Sequence, residues 1–154
     1  MPLRNSERKL IGEILIGEGF LQPADLKKGL EIQKGEGGLI GGILVRMGFV
    51  SEENLVVALS KQLLIPFLQI SNYNVNRNAQ KHIPKEIAQK FLLFPFDEVG
   101  KSISVAMSDP LNEGAINELE KRTPLKKYIF LATASEIKEA IELYYGEVSS
   151  DQRR

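Results

Sequence analysis

Few side chains in this sequence have the chemistry of a site, and each needs a partner to use it. His82 is the only histidine. An imidazole acts as a general base or metal ligand only among convergent neighbours. The residues after it, Ile83 and Pro84, supply none, so a surface or capping role is the simpler reading. Asp97 and Glu98 are adjacent carboxylates just before Val99-Gly100, where acidic residues serve as solvated turn formers. Lys34-Gly35-Glu36-Gly37-Gly38 has enough glycine to cradle a phosphate. A phosphate-binding loop, however, needs GxxxxGK[ST] after a strand. Here the flanks have helical spacing and no Lys-Ser or Lys-Thr closes the pattern, which points to a turn between helices. HExxH, GxSxG and GxGxxG are absent. With no cysteine there is no thiolate nucleophile, disulfide or thiolate metal site. The chain therefore reads as a non-enzyme. Gln33 and Gln62 are the more informative polar residues. A glutamine side chain both donates and accepts, so it can read a base edge or bridge neighbouring backbone. Both readings stay open.

The two glutamines occupy equivalent places in a duplication. At an offset of 29 positions, ten residue pairs between Leu10–Gln33 and Leu39–Gln62 are identical. They include Gly12/Gly41, Leu15/Leu44, Gly19/Gly48, Leu26/Leu55, Leu30/Leu59 and Gln33/Gln62. A tandem copy implies two similar supersecondary units that bury their apolar faces on each other. Each reads as a short helix, a turn and a longer helix. Ile11, Ile14 and Leu15 share one helical face. Gly19 and Gly48 allow the positive φ of a helix C-terminus. Pro23 suits a first helical position, and Ser51 can cap the helix that carries Leu55, Leu59 and Gln62. Lys27 and Lys28 correspond to Val56 and Val57. The valines either pack against the rest of the fold or present a partner surface.

The period changes after Leu64. Residues 65–70 read as a short strand, and the asparagine-rich segment to Asn78 as a loop. Pro84 opens a helix with Ile87, Ala88 and Phe91. Leu92–Phe96 and Lys101–Met107 form a hairpin around Val99-Gly100. Asn112 caps a helix, and Tyr128–Leu131 gives another strand. Thr133 and Glu136 form a capping box for a last helix ended by Gly146. The expected fold class is α+β with an α/β-like second half. A duplicated helical subdomain at 9–63 precedes a small sheet-and-helix subdomain at 64–146 and a polar tail at 147–154.

Twenty basic and twenty acidic residues cancel, so no global field recruits nucleic acid. No apolar run approaches the roughly 20 residues of a membrane span, and the N-terminus lacks an apolar signal core.

Taken together, the repeat and its continuation resemble the N-terminal (MshEN-like) domain of the type II secretion and type IV pilus assembly ATPases, the general secretory pathway protein E N-terminal domain. The family repeat runs R-L-G-x-x-L-V-x-x-G-L-I-x-x-x-x-L-x-x-x-L-x-x-Q. Leu64-Ile65-Pro66-Phe67, Ile83-Pro84, Val105–Pro110 and Tyr144-Tyr145-Gly146 are similar to it as well. The resemblance implies a regulatory and docking domain, without cofactor, metal or catalytic residues. It would couple a cytoplasmic ATPase to an inner-membrane assembly protein and so be peripheral to that membrane. It also implies cyclic di-GMP as a ligand held along the repeats by Gly12, Leu15, Gly19, Leu26, Leu30, Gln33, Gly41, Leu44, Gly48, Leu55, Leu59, Gln62 and Asp109. The arginine that opens each family motif is Leu10 in the first copy and Leu39 in the second. Leucine cannot replace a planar cationic donor. Two lost charged hydrogen bonds at about 1.5–3 kcal/mol each weaken binding by more than about tenfold. Arg8 and Lys9 near the first copy, and Lys34 and Arg46 near the second, are the cations available to compensate.

Overall fold

The computed structural model describes residues 11–152, with side chains through Tyr145. In the first copy, helical spacing gives α1 (Ile11–Gly17) and α2 (Pro23–Glu36); in the second it gives α3 (Ile40–Arg46) and α4 (Glu52–Leu63). The two short helices end alike. Gly19 N–H donates to Ile16 O at 3.0 Å and Phe20 N–H to Leu15 O at 2.9 Å. Gly48 donates to Val45 O at 3.0 Å and Phe49 to Leu44 O at 2.9 Å. This paired closure satisfies orphan carbonyls and needs a left-handed residue, supplied by Gly19 at φ 81° and Gly48 at φ 80°. The longer helices start differently. Pro23 occupies the first turn of α2 without a side-chain cap, whereas Ser51 Oγ accepts from Asn54 N–H at 3.1 Å in α4.

Equivalent apolar positions of the two copies share one core. Leu15 and Leu44 are both fully buried, and Ile14, Leu21, Val50 and Ala58 join them. Leu26 and Leu55 pack against this cluster. The chain divides into two compact units, Met1–Leu64 and Ile65–Arg154. Leu64 itself turns the chain in the left-handed region, at φ 56°.

The second unit contains α5 (Lys85–Phe91), β1 (Leu93–Val99), β2 (Ser102–Met107), α6 (Glu113–Arg122), β3 (Lys126–Leu131) and α7 (Ala134–Gln152). The strands lie in the order β1-β2-β3. β1 and β2 form the expected antiparallel hairpin, with an irregularity between Pro95 and Asp97. β2 and β3 are parallel and joined by α6, the crossover a parallel pair requires. Asn112 caps α6 by accepting from Ala115 N–H at 3.2 Å. Phe94, Phe96, Ile103, Val105, Met107, Leu119, Ile137 and Ile141 fill the core.

Three local expectations fail here. Residues 65–70 make no strand; only Phe67 bridges to Leu131, and a 3₁₀ turn follows at Ile70–Asn72. Pro66 has no N–H to give, and the Ile70 N–H is taken at 2.7 Å by the Glu136 carboxylate. That bond also undoes the reciprocal half of the capping box. Thr133 Oγ1 accepts from Glu136 N–H at 3.2 Å, but the Glu136 side chain is spent on Ile70. Finally, α7 runs through Gly146 to Gln152. One glycine costs only about 1 kcal/mol in a helix interior, and no proline follows to stop it.

Candidate functional site

The repeat residues divide by what surrounds them. Leu15 and Leu44 have 0% exposure, so their side chains serve the core. Gly12 is buried against Leu26: a Cβ there would sit 2.5 Å from Leu26 Cδ1. Gly41 meets Leu55 in the same way but less tightly, at 3.3 Å. These two glycines therefore let the longer helix of each copy approach the shorter one. Gly19 and Gly48 face open space at the turns. Leu26, Leu55 and Leu59 are half-buried, and Leu30 is exposed.

The two glutamines do not share an environment. Gln33 Nε2 donates to Gly38 O at 2.9 Å, closing the glycine turn after α2. Gln62 is exposed near the end of α4. The difference follows from what comes next in each copy. α2 is followed by Gly37 and Gly38, both at positive φ, which fold a carbonyl back within reach. α4 runs instead into the left-handed Leu64.

At the motif arginine position of the second copy, Leu39 precedes α3 and is 61% exposed. Leu10, Arg8 and Lys9 lie outside the described residues. Arg46, one of the compensating cations, is paired with Glu36 at 2.6 Å. That pair ties the C-terminus of α3 to the end of α2. Lys61 likewise pairs with Glu18 at 3.0 Å, across to the end of α1. Val56 is 3% exposed, so it is an interior residue and presents no partner surface; Val57 is half-buried.

The second unit holds polar groups that sequence reasoning treated as solvated. His82 Nε2 lies 2.8 Å from Glu98 Oε1, with both side chains half-buried. Asp97 accepts from the Tyr73 hydroxyl, a bond that holds the phenol above its ordinary range. Asn76 donates its backbone N–H to Phe96 O at 2.9 Å and its side-chain amide to Glu98 O at 3.2 Å. These bonds fasten the 73–82 segment over the outer edge of β1. The partners are distant in sequence, so no local spacing reveals them. Asp109 sits in this unit, after β2, and its carboxylate accepts from Leu111 N–H at 3.3 Å. Among the described residues, no cluster of three or more histidines and carboxylates is placed to hold a metal ion.

Comparison with known proteins agrees with this architecture. The model of the MshEN domain matches residues 63–151, which is the second unit with the end of α4. The type IV pilus assembly ATPase PilB of Myxococcus xanthus is 36% identical over 137 residues, covering 89% of this chain and 24% of that protein. PilB of Thermus thermophilus is 29% identical over 142 residues, covering 91% of this chain and 16% of its own length. The chain thus spans a quarter or less of these relatives. A structure of MshE with cyclic di-GMP (cdg) superposes with a TM-score of 0.78 at 29% identity, over 90% of this chain and 100% of that one. The N-terminal domain of XpsE shares the fold, with a TM-score of 0.74 at 23% identity, over 92% of this chain and 97% of that one. On the match across its sheet-containing unit and its likeness to PilB, this chain belongs to the MshEN domain family.

Proposed function

We propose that this chain is a non-catalytic regulatory and docking module that couples a pilus or secretion ATPase to an inner-membrane assembly protein, and so works at the cytoplasmic face of that membrane. The observation that carries this reading is the span of the PilB match. It covers 89% of this chain but only 24% of the relative. The chain itself carries no GxxxxGK[ST] with which to bind nucleotide phosphates. Among the described residues, no helix is long and apolar enough to cross a membrane. The test is co-purification with the inner-membrane assembly proteins of the source organism, with steady-state phosphate release as the second readout. Capture of such a partner without phosphate release supports the module. Magnesium-dependent phosphate release from the pure chain refutes it.

A second reading, cyclic di-GMP sensing along the repeats, is favoured by the similarity to MshE with that ligand. Four features of this chain oppose tight binding. Leucines replace both motif arginines. Leu39 presents an apolar side chain to solvent. Arg46 is paired with Glu36, an exposed ion pair that a ligand phosphate would have to displace. The Gln33 amide is committed to Gly38 O. We expect weak binding that strengthens in Leu10→Arg/Leu39→Arg. A submicromolar dissociation constant for the unmodified chain by calorimetry would overturn that expectation.

A further inference from the structure

The two edges of the sheet are treated differently. The outer edge of β1 is covered by the 73–82 segment, through Asn76 N–H to Phe96 O and Gln80 Nε2 to Pro95 O. The outer edge of β3 is not covered in this way. Lys126 N–H bonds Lys101 O and Ala132 N–H bonds Met107 O, so the even-numbered residues here face β2. In a parallel ladder the alternate residues then point outward. These are Lys127, Ile129 and Leu131. Leu131 is satisfied from both sides, donating to Pro66 O and accepting from Leu68 N–H, each at 2.8 Å. Among the described residues, the outward N–H and C=O groups of Lys127 and Ile129 have no backbone partner. A single bridge at Phe67 thus begins a fourth strand that the chain does not continue.

We propose that the Lys126–Ile129 edge of β3 takes an added strand from a partner protein, and that this strand is acidic. Strand addition of this kind gains its affinity from main-chain bonds and its selectivity from alternate side chains. The side chains beside the edge set the sign of the partner's charge. Lys126 and Lys101 are exposed, and neither pairs with a carboxylate among the described residues. The nearby Glu120 is already held by Lys127, with Nζ at 3.5 Å. Tyr128 is 46% exposed and Lys126 Nζ lies 5.1 Å from its ring centroid, so the cation and the ring stand together beside the edge. Edge lysines also discourage pairing between like chains, which disfavours a second copy of this chain as the occupant.

The proposal rests on the docking reading only for its occupant being a partner protein; the edge is tested without one. The probes are capped peptides of about six residues, the usual strand length. One alternates valine with glutamate and the other valine with lysine. Amide NMR of the full chain reads the outcome. The glutamate peptide should shift the Lys127 and Ile129 amides and slow their exchange, and the lysine peptide should not. Lys101→Glu/Lys126→Glu should reverse that preference. N-methylation of alternate amides in the glutamate peptide should abolish the effect. Equal responses to both peptides, a response that survives N-methylation, shifts confined to other residues, or no shift at millimolar peptide would each overturn the proposal. A peptide response without capture of an assembly protein would sink the docking reading and leave the edge standing; capture without a peptide response would do the reverse.

Discussion

Gly29 and Gly35 both lie in α2, yet alanine should move stability in opposite directions at the two positions. Alanine is better than glycine inside a helix by about 0.8–1 kcal/mol, because glycine loses more backbone freedom on folding. At Gly35 nothing lies within 4 Å of the added Cβ. The residue sits in the last turn of α2, so we expect a gain of about 0.5 kcal/mol. At Gly29 the same Cβ would fall 2.7 Å from Leu44 Cδ2 and 3.2 Å from Ile40 Cδ1. Leu44 has 0% exposure, so its methyl cannot swing out to solvent. Overpacking of this kind costs about 1–3 kcal/mol, which outweighs the propensity gain and leaves a net loss of about 1 kcal/mol. Urea titrations followed by far-ultraviolet circular dichroism would separate the two variants by about 1.5 kcal/mol. Leu44→Val removes a methylene at the clash at its own cost of about 1 kcal/mol, and in that background Gly29→Ala should cost less than it does in the parent. If Gly29→Ala is as stabilising as Gly35→Ala, the close approach of α2 to α3 is wrong. The second copy has Ala58 at the place of Gly29, so the result also tests whether the two copies pack asymmetrically.

Val56→Lys should lower stability by about 3 kcal/mol, because it buries an unpaired ammonium at a position 3% exposed; an unchanged thermal melt would return Val56 to the surface. Ser51→Ala should cost about 1 kcal/mol through loss of the Asn54 N–H cap, whereas Ser51→Asp should keep it, as read by chemical denaturation. Tyr145 donates its hydroxyl to Ile83 O at 2.8 Å, and burial pushes the phenol well above its ordinary value of 10.0. Folding therefore favours the neutral phenol. Its contribution is fully present below about pH 10 and is lost as the pH rises beyond that. Tyr145→Phe should cost about 1 kcal/mol at neutral pH and lose less stability than the parent between about pH 10 and 11. Parallel alkaline melts decide this: equal slopes would refute the buried-phenol account.

Much of the fold follows from local rules that the sequence carries openly. Helical spacing, Pro23, Ser51, Asn112 and the glycines at 19 and 48 each act within a few residues, so they locate the helices and their ends before any packing is considered. The duplication also implies that the copies share a core, since neither can bury its apolar face alone. Leu15 and Leu44, enclosed together, are the result. What stays hidden is whatever depends on a distant partner. Glu136 leaves its own helix to hold Ile70, 66 residues away, and a capping box becomes a clasp on a would-be strand. His82 and Glu98 meet across 16 residues because a turn is folded over β1. Gln33 and Gln62 match in the repeat but diverge in space, since only one is followed by glycines that return a carbonyl to it. Identity of residue type fixes what a side chain is able to bond. Tertiary structure decides which partner comes within three ångströms of it, and that is why the repeats, caps and helix faces were legible in sequence while the commitments of Arg46, Glu136 and Gln33 were not.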